Sequence, residues 1–227
     1  MSAVTVPSSR LRLSSGAVES LKWLALLAML VDHVNAVFFA RELGTWATAI
    51  GRIAMPLFAL VLGYNIGRPG ADLARCLRRL LLFGLLALPF HAFLFAQVGG
   101  WWPLNIMFTF AVAVGSILLA ERGQGIAAAA VFVLGSMLVE YWWPGVALVL
   151  IGWAYRVRPS WLGVSSVLGA LVLVCAFVNG NAWALLSLPL IAAVAWWSPQ
   201  VPRAGRFFWW FYPAHLAAIA AVSVVMM

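Results

Sequence analysis

The sequence predicts an all-α fold, a polytopic transmembrane helical bundle of about nine spans with its N-terminus in the cytoplasm. Three observations predict the bundle. Apolar residues make up 65% of the 227 positions and charged residues only 9%, where a soluble domain holds about a half and a quarter. The mean hydropathy is +1.03, and many apolar runs reach or approach the roughly 20 residues a helix needs to cross the hydrocarbon. The long Leu/Ala/Val runs do not alternate, which argues against a transmembrane β-barrel.

The elements follow in order. Residues 1–18, beginning MSAVTVPSSRLRLSSG, are polar and lack the apolar stretch of a signal peptide, so they are expected to form a flexible cytoplasmic tail. Residues 19–227 are expected to form a single transmembrane domain. The first span covers 21–40, LKWLALLAMLVDHVNAVFFA. The second covers 45–66, and the third, entered through the basic string RCLRRLLLF, covers 80–97. The fourth covers 104–120. The fifth and sixth, 125–139 and 143–155, are short for a full crossing: helices of a thin membrane, a broken pair, or one re-entrant unit. The seventh covers 161–178, the eighth 182–197 with Pro189 inside it, and the ninth 206–226.

Charge placement sets the orientation. The formal net charge is +8, from 14 Lys and Arg against 6 Asp and Glu. In a soluble chain that excess suggests nucleic acid. Here the cations stand between apolar runs, so no nucleic acid is expected; topology comes first and anionic ligands second. Arg10, Arg12 and Lys22 precede or enter span one, and Arg68, Arg75, Arg78 and Arg79 separate spans two and three. Arg122, Arg156, Arg158, Arg203 and Arg206 fall on the same side, and Arg41 is the sole basic loop residue on the other. The positive-inside rule then puts the N-terminus in the cytoplasm and, with nine spans, the C-terminus outside. Tryptophan pairs at 101–102, 142–143, 196–197 and 209–210 read as interfacial belts. Cys76 and Cys175 lie far apart in unlike surroundings, and no disulfide is expected between them.

Inside the spans the costly residues are few: Asp32, His33, Arg52, His91 and His215, with Asn35, Asn65, Asn105 and Tyr212 as weaker company and Glu140 near an external end. Charge-capable groups in a membrane persist where they face a protein interior or a water-filled cavity. His33 and His215 fall near the midplane, and Arg52 enters from the outside. Adjacent helical residues do not face one another, so Asp32 shares a face with Asn35. His33 shares one with Lys22, about 16 Å away along the axis. A long ligand with an anionic head at Lys22 could lay its reactive end near His33, and coenzyme A has that shape. Each group also has a plainer reading as a packing, pairing or topology residue. Three histidines on three spans make no metal signature, and no Walker-type phosphate loop is present.

Five strings in sequence order carry a resemblance: LKWLALLAMLVDHVNAVFF, GRIAMPLFALVLGYNIGR, RCLRRLLLFGLLALPFHAF, NIMFTFAVAVG and FYPAHLAAI. Together they resemble the TraX family, integral membrane proteins associated with N-terminal acetylation of conjugative pilin. The middle of the chain, 120–200, matches more loosely, through Glu140 and PGVALVLIGW. The resemblance implies a membrane-embedded acetyltransferase of the bacterial inner membrane. It would use cytoplasmic acetyl-CoA as acyl donor, without a metal, and modify an acceptor protein or glycan at the bilayer. It is also similar in logic to transmembrane acetyltransferases that act on sugars. Carried over by position, it points to Asp32, His33, Arg52, Asn105 and His215.

In the mechanism expected from these residues, His33 is the general base and Asp32 holds Arg52 or Asn35. Arg52 or Asn105 meets the oxyanion, and His215 is a second acid/base group or an acetyl-His intermediate. Lys22, Arg68, Arg75, Arg78 and Arg79 are the candidates for the donor's phosphates. A small-solute or proton-coupled transporter is the competing reading, since Asp/His/Arg relays serve that purpose too. Against it stand the lack of an internal repeat and the arginine cluster. A non-catalytic assembly factor would leave the buried ionisable groups unexplained.

Overall fold

The computed structural model describes residues 13–95 and 99–226, and every regular element among them is helical. In chain order these are α1 (Ser15–Phe38), α2 (Thr45–Ile66), α3 (Leu73–Phe95), α4 (Ile106–Glu121), α5 (Gly125–Ser136), α6 (Trp142–Val157), α7 (Trp161–Val174), α8 (Ser187–Trp197) and α9 (Phe207–Met226). A π-helical turn (Cys175–Asn179) extends α7, and a 3-10 turn (Trp183–Leu186) leads into α8. The order follows the apolar runs, because each run ends where polar or Gly/Pro residues leave the backbone better served by a turn. Two starts come earlier than expected, α1 at Ser15 and not 21, and α3 at Leu73 and not 80, which takes Arg75, Arg78 and Arg79 into the helix. Of the tail expected over 1–18, residues 1–12 lie outside the described residues. Ser14 already caps α1, its hydroxyl accepting from the Ala17 N–H.

Among the described residues, five stretches are long and apolar enough to cross a membrane: α1, α2, α3, α7 with its π turn, and α9. The other four helices are shorter, with 16 residues in α4 and α6, 12 in α5 and 11 in α8. The helices still run alternately between two ends of one bundle. Arg41 after α1, Trp102 before α4, Tyr141 before α6 and Phe177 after α7 share one end, where they line a common cavity. At the other end, Arg68, Glu121 and Arg156 line a second cavity. There too the Ala204 N–H donates to Glu19 (2.8 Å) and the Ser198 hydroxyl to that of Ser14 (3.0 Å). This second end is called the basic end below.

At the centre, α2 packs against α1 and α6. The α2–α6 crossing is close because Gly63 and Gly152 carry no side chain. A Cβ on Gly152 would lie 3.0 Å from the Leu60 carbonyl oxygen, and one on Gly63 2.8 Å from the Trp153 nitrogen. Small residues of this kind let membrane helices meet backbone to backbone. Val114, Val146, Leu148, Val149, Leu171 and Leu216 fill the core around the crossing.

The short helices have a specific cause. Asn105 caps α4, accepting from the Met107 N–H (3.1 Å) and donating through Nδ2 to the carbonyl oxygen of Gly84 (2.9 Å). Gly84 sits midway along α3, about 16 Å from either end at 1.5 Å per residue. The chain before α4 therefore descends into the bundle before turning helical. There it meets the segment between α5 and α6. The Leu104 N–H donates to Leu138 O and the Glu140 N–H to Leu104 O, each at 2.9 Å. The Thr109 hydroxyl donates to Glu140 O (2.7 Å), and Trp102 Nε1 to Met137 O (3.1 Å). Irregular backbone at such depth is stable where its polar groups pair within the protein or line a cavity. Here it does both.

Candidate functional site

The cavity at the end opposite the arginine cluster has a volume of about 390 Å³. Helix α1 supplies Asp32 and His33, α2 supplies Arg52, α9 supplies Tyr212, and the descending wall supplies Glu140 and Tyr141. Arg41 reaches in from the loop after α1.

Asp32 pairs with Arg41, whose Nη1 donates to Oδ1 at 3.2 Å. The partner is neither Arg52 nor Asn35, the two alternatives read from the sequence. The chain turns back just beyond α1, where the Arg41 N–H donates to Asn35 O (2.8 Å) and the Leu43 N–H to Asn35 Oδ1 (3.0 Å). That reversal folds Arg41 over Asp32 and commits Asn35 to the loop. Gly51 backs the pair: a Cβ there would lie 2.6 Å from Asp32 Oδ1. Arg52 lines the cavity with its Nε buried and unpartnered.

His33 Nδ1 stands 2.9 Å from His215 Nε2, with the rings nearly parallel. His215 Nδ1 lies 3.0 Å from the carbonyl oxygen of Phe211. A carbonyl only accepts, so His215 carries its proton on Nδ1. With both rings neutral, His215 Nε2 then accepts from the Nδ1–H of His33. The lone pair of His33 is left on Nε2. Pro213, two residues before His215, cannot donate to the α9 ladder.

A third histidine joins the wall. His91 is 1% exposed, and its Nε2 stands 3.1 Å from Glu140 Oε1. Its Nδ1 is buried without a partner. Phe95 lies against both histidine systems, its ring 5.2 Å from that of His33 and 5.5 Å from that of His91.

Of the residues expected at the site, Asp32, His33 and Arg52 line the cavity, and His215 stands behind His33. Asn105 does not line it. It is fully buried, with its amide committed to Gly84 and to the cap of α4, so a place as oxyanion donor is corrected to one as helix anchor. The expected phosphate ligands all lie toward the basic end. Lys22 does share a face with His33, but α9 covers that face: the ammonium pairs with Glu19 and lies 4.5 Å from the centroid of the Phe208 ring. Arg75 pairs with Asp72 at 3.2 Å. Arg79 lies 5.9 Å from the Trp209 ring, Arg68 lies 6.0 Å from that of Tyr64, and Arg78 is exposed. Among the described residues, no three His, Cys, Asp or Glu side chains converge as a metal site would need. Cys76 and Cys175 are both free thiols.

Arg41, Glu140 and His91 are the members that sequence reasoning left out of the site. Arg41 had one signal, being the lone cation of its side. Glu140 and His91 each stand alone on their own segment, and only the descending wall brings them together.

A family model described as "TraX protein" matches residues 17–223 of the chain. "Protein TraX" of Escherichia coli is 29% identical over 230 residues, covering 93% of this chain and 89% of the relative. A second "Protein TraX", from Escherichia coli strain K12, is 27% identical over the same shares. No solved structure matches the chain.

Proposed function

The chain belongs to the TraX family, and on that premise we propose that it is a membrane-embedded acetyltransferase. It moves an acetyl group from cytoplasmic acetyl-CoA to an amine or hydroxyl of an acceptor, a pilin N-terminus or a glycan, at or across the bacterial inner membrane. The basic end faces the cytoplasm, in line with the positive-inside rule, and the polar cavity faces outward to the acceptor. The observation that carries this reading is the chain of proton sites from His33 Nε2 through His215 to the Phe211 carbonyl, set beside an arginine whose Nε is buried without a partner.

His33 Nε2 takes the proton of the acceptor N–H or O–H as that atom attacks the thioester carbonyl. Negative charge builds on the carbonyl oxygen, and Arg52, the lining cation without an ion pair among the described residues, meets it as a donor already in place. The C–S bond then breaks. The departing thiolate recovers the proton from His33, leaving coenzyme A and the acetylated acceptor. His215 holds the Nδ1 proton of His33 and shares the charge of the transient imidazolium. Asp32 and Arg41 neutralise one another and keep the cavity mouth polar.

The test is transfer of radiolabelled acetyl from acetyl-CoA to a pilin-derived peptide or a glycan in proteoliposomes. Wild type should label an acceptor and His33→Gln should not, with equal amounts of folded protein. Labelling retained by His33→Gln would overturn the base assignment. A folded wild type that labels neither acceptor, yet moves protons or solutes across the vesicle wall, would replace the enzyme with a transporter.

A further inference from the structure

At the basic end, between the final turns of α2 and α6 and the loop after α2, lies a cavity of about 500 Å³. Arg68 and Arg156 line it, and both guanidiniums lie over the ring of Tyr64, Arg156 at 5.0 Å and Arg68 at 6.0 Å from its centroid. Arg156 Nε is buried and has no hydrogen-bond partner. Glu121 also lines the cavity, and it pairs with neither arginine among the described residues. Gly67 lets Arg156 in: a Cβ there would lie 2.8 Å from that of Arg156. Burial, and then the charges of Arg203 and Arg156, hold Arg68 below the ordinary arginine value. Two like charges gathered at one aromatic ring and lining one cavity, with a buried donor left over, form an arrangement that an anion relieves.

The arginines nearby differ. Arg75 is already matched by Asp72, and Arg78 and Arg79 are exposed on α3. Exposed cations bind anions weakly because water and salt screen them, whereas sheltered guanidiniums present paired donors to phosphate oxygens.

We propose that Arg68 and Arg156, seated on Tyr64, form a phosphate-binding site at the basic end and hold the phosphates of the acyl donor. The occupant's identity rests on the acetyltransferase reading; the phosphate chemistry does not. A phospholipid headgroup offers the same chemistry, and a neighbouring apolar cavity of about 300 Å³, lined by Tyr64, Leu60, Gly152 and Ile191, could take an acyl chain.

The full chain is purified in detergent, and its binding of two probes is measured by calorimetry. One is adenosine 3′,5′-bisphosphate, the phosphate-bearing end of coenzyme A without its thioester; the other is dihexanoyl phosphatidic acid. Wild type should bind the bisphosphate saturably. Arg68→Gln and Arg156→Gln should each weaken that binding by about tenfold or more, and Arg78→Gln should leave it within about twofold. If Arg156→Gln fails to fold, Arg156→Lys serves, since it keeps the charge and loses the planar fork. Binding of neither probe, or binding indifferent to residues 68 and 156, overturns the site. Phosphatidic acid bound in place of the bisphosphate, with the same dependence on Arg68 and Arg156, overturns the donor as occupant. Bisphosphate bound as expected by a protein that transfers no acetyl leaves this site standing and removes the enzymatic reading.

Discussion

His33 keeps its lone pair on Nε2 because His215 accepts at Nε2, and His215 accepts there because the Phe211 carbonyl holds its other proton. Replacing His215 with Phe frees His33 to flip its proton between nitrogens. Acetyl transfer measured in single turnovers should then fall by about 10²-fold, with little change in acceptor binding. The double change His33→Gln/His215→Phe should be no worse than His33→Gln alone, since two residues acting as a unit are not additive. Gly51→Ala puts a methyl group against Asp32 and should prise it from Arg41. Transfer should drop and stability to thermal unfolding should fall by about 1–3 kcal/mol, since the added methyl also meets Asp32 Cβ at 2.7 Å. At this scale the sequence was only half legible. Asp32, His33 and His215 stood out because ionisable groups in apolar runs are costly. The partner of Asp32 did not, because it depends on a chain reversal fixed by Asn35 and not on helical spacing.

Among the elements, α4 is the one whose position decides the site. Its start is pinned to the middle of α3 by Asn105, and the paired backbone of Leu104 and Glu140 then turns Glu140 toward the cavity. Asn105→Ala removes a helix cap and leaves the Gly84 carbonyl buried without that donor. It should cost about 1–3 kcal/mol in reversible unfolding in detergent. The protein that remains folded should transfer acetyl at a rate much nearer wild type than His33→Gln does; a loss as deep as that of His33→Gln would return Asn105 to the chemistry. The α2–α6 crossing makes a second test. Gly152→Leu drives a side chain into the Leu60 backbone and should abolish the folded state, seen as aggregation on size exclusion. Helix order and most ends were readable because apolar runs and their Gly/Pro punctuation mark them, but the starts of α1 and α3 were not, since their first turns are polar or basic. The depth of the 99–105 and 137–142 segments was not, since Trp102, Pro103 and Leu104 are as apolar as the helix they precede.

Across the described residues, the arginine cluster stands at one end and the polar cavity at the other, so on the proposed reading a donor and an acceptor would approach from opposite sides. The nine apolar runs announced the bundle and its alternation; their unequal lengths carry a mechanical meaning. Helix α5 has 12 residues and measures about 18 Å at 1.5 Å per residue, against a hydrocarbon layer of roughly 30 Å. It is also a flank, with Ile126 91% and Leu134 64% exposed. Where lipid covers this flank it should pinch inward beside α5 while staying at full thickness beside the long α1 and α2, and that deformation has an elastic cost. The protein becomes a gauge of the bilayer around it. In vesicles of short-chain lipid the pinch relaxes, α5 seats without strain, and the wall that carries Glu140 should hold its place more firmly than in long-chain lipid. Acetyl transfer and resistance to thermal unfolding should then both rise as the chains shorten towards the height of α5, and fall again once α1 and α2 protrude. A rate indifferent to chain length would mean that neighbouring copies, and not lipid, cover this flank.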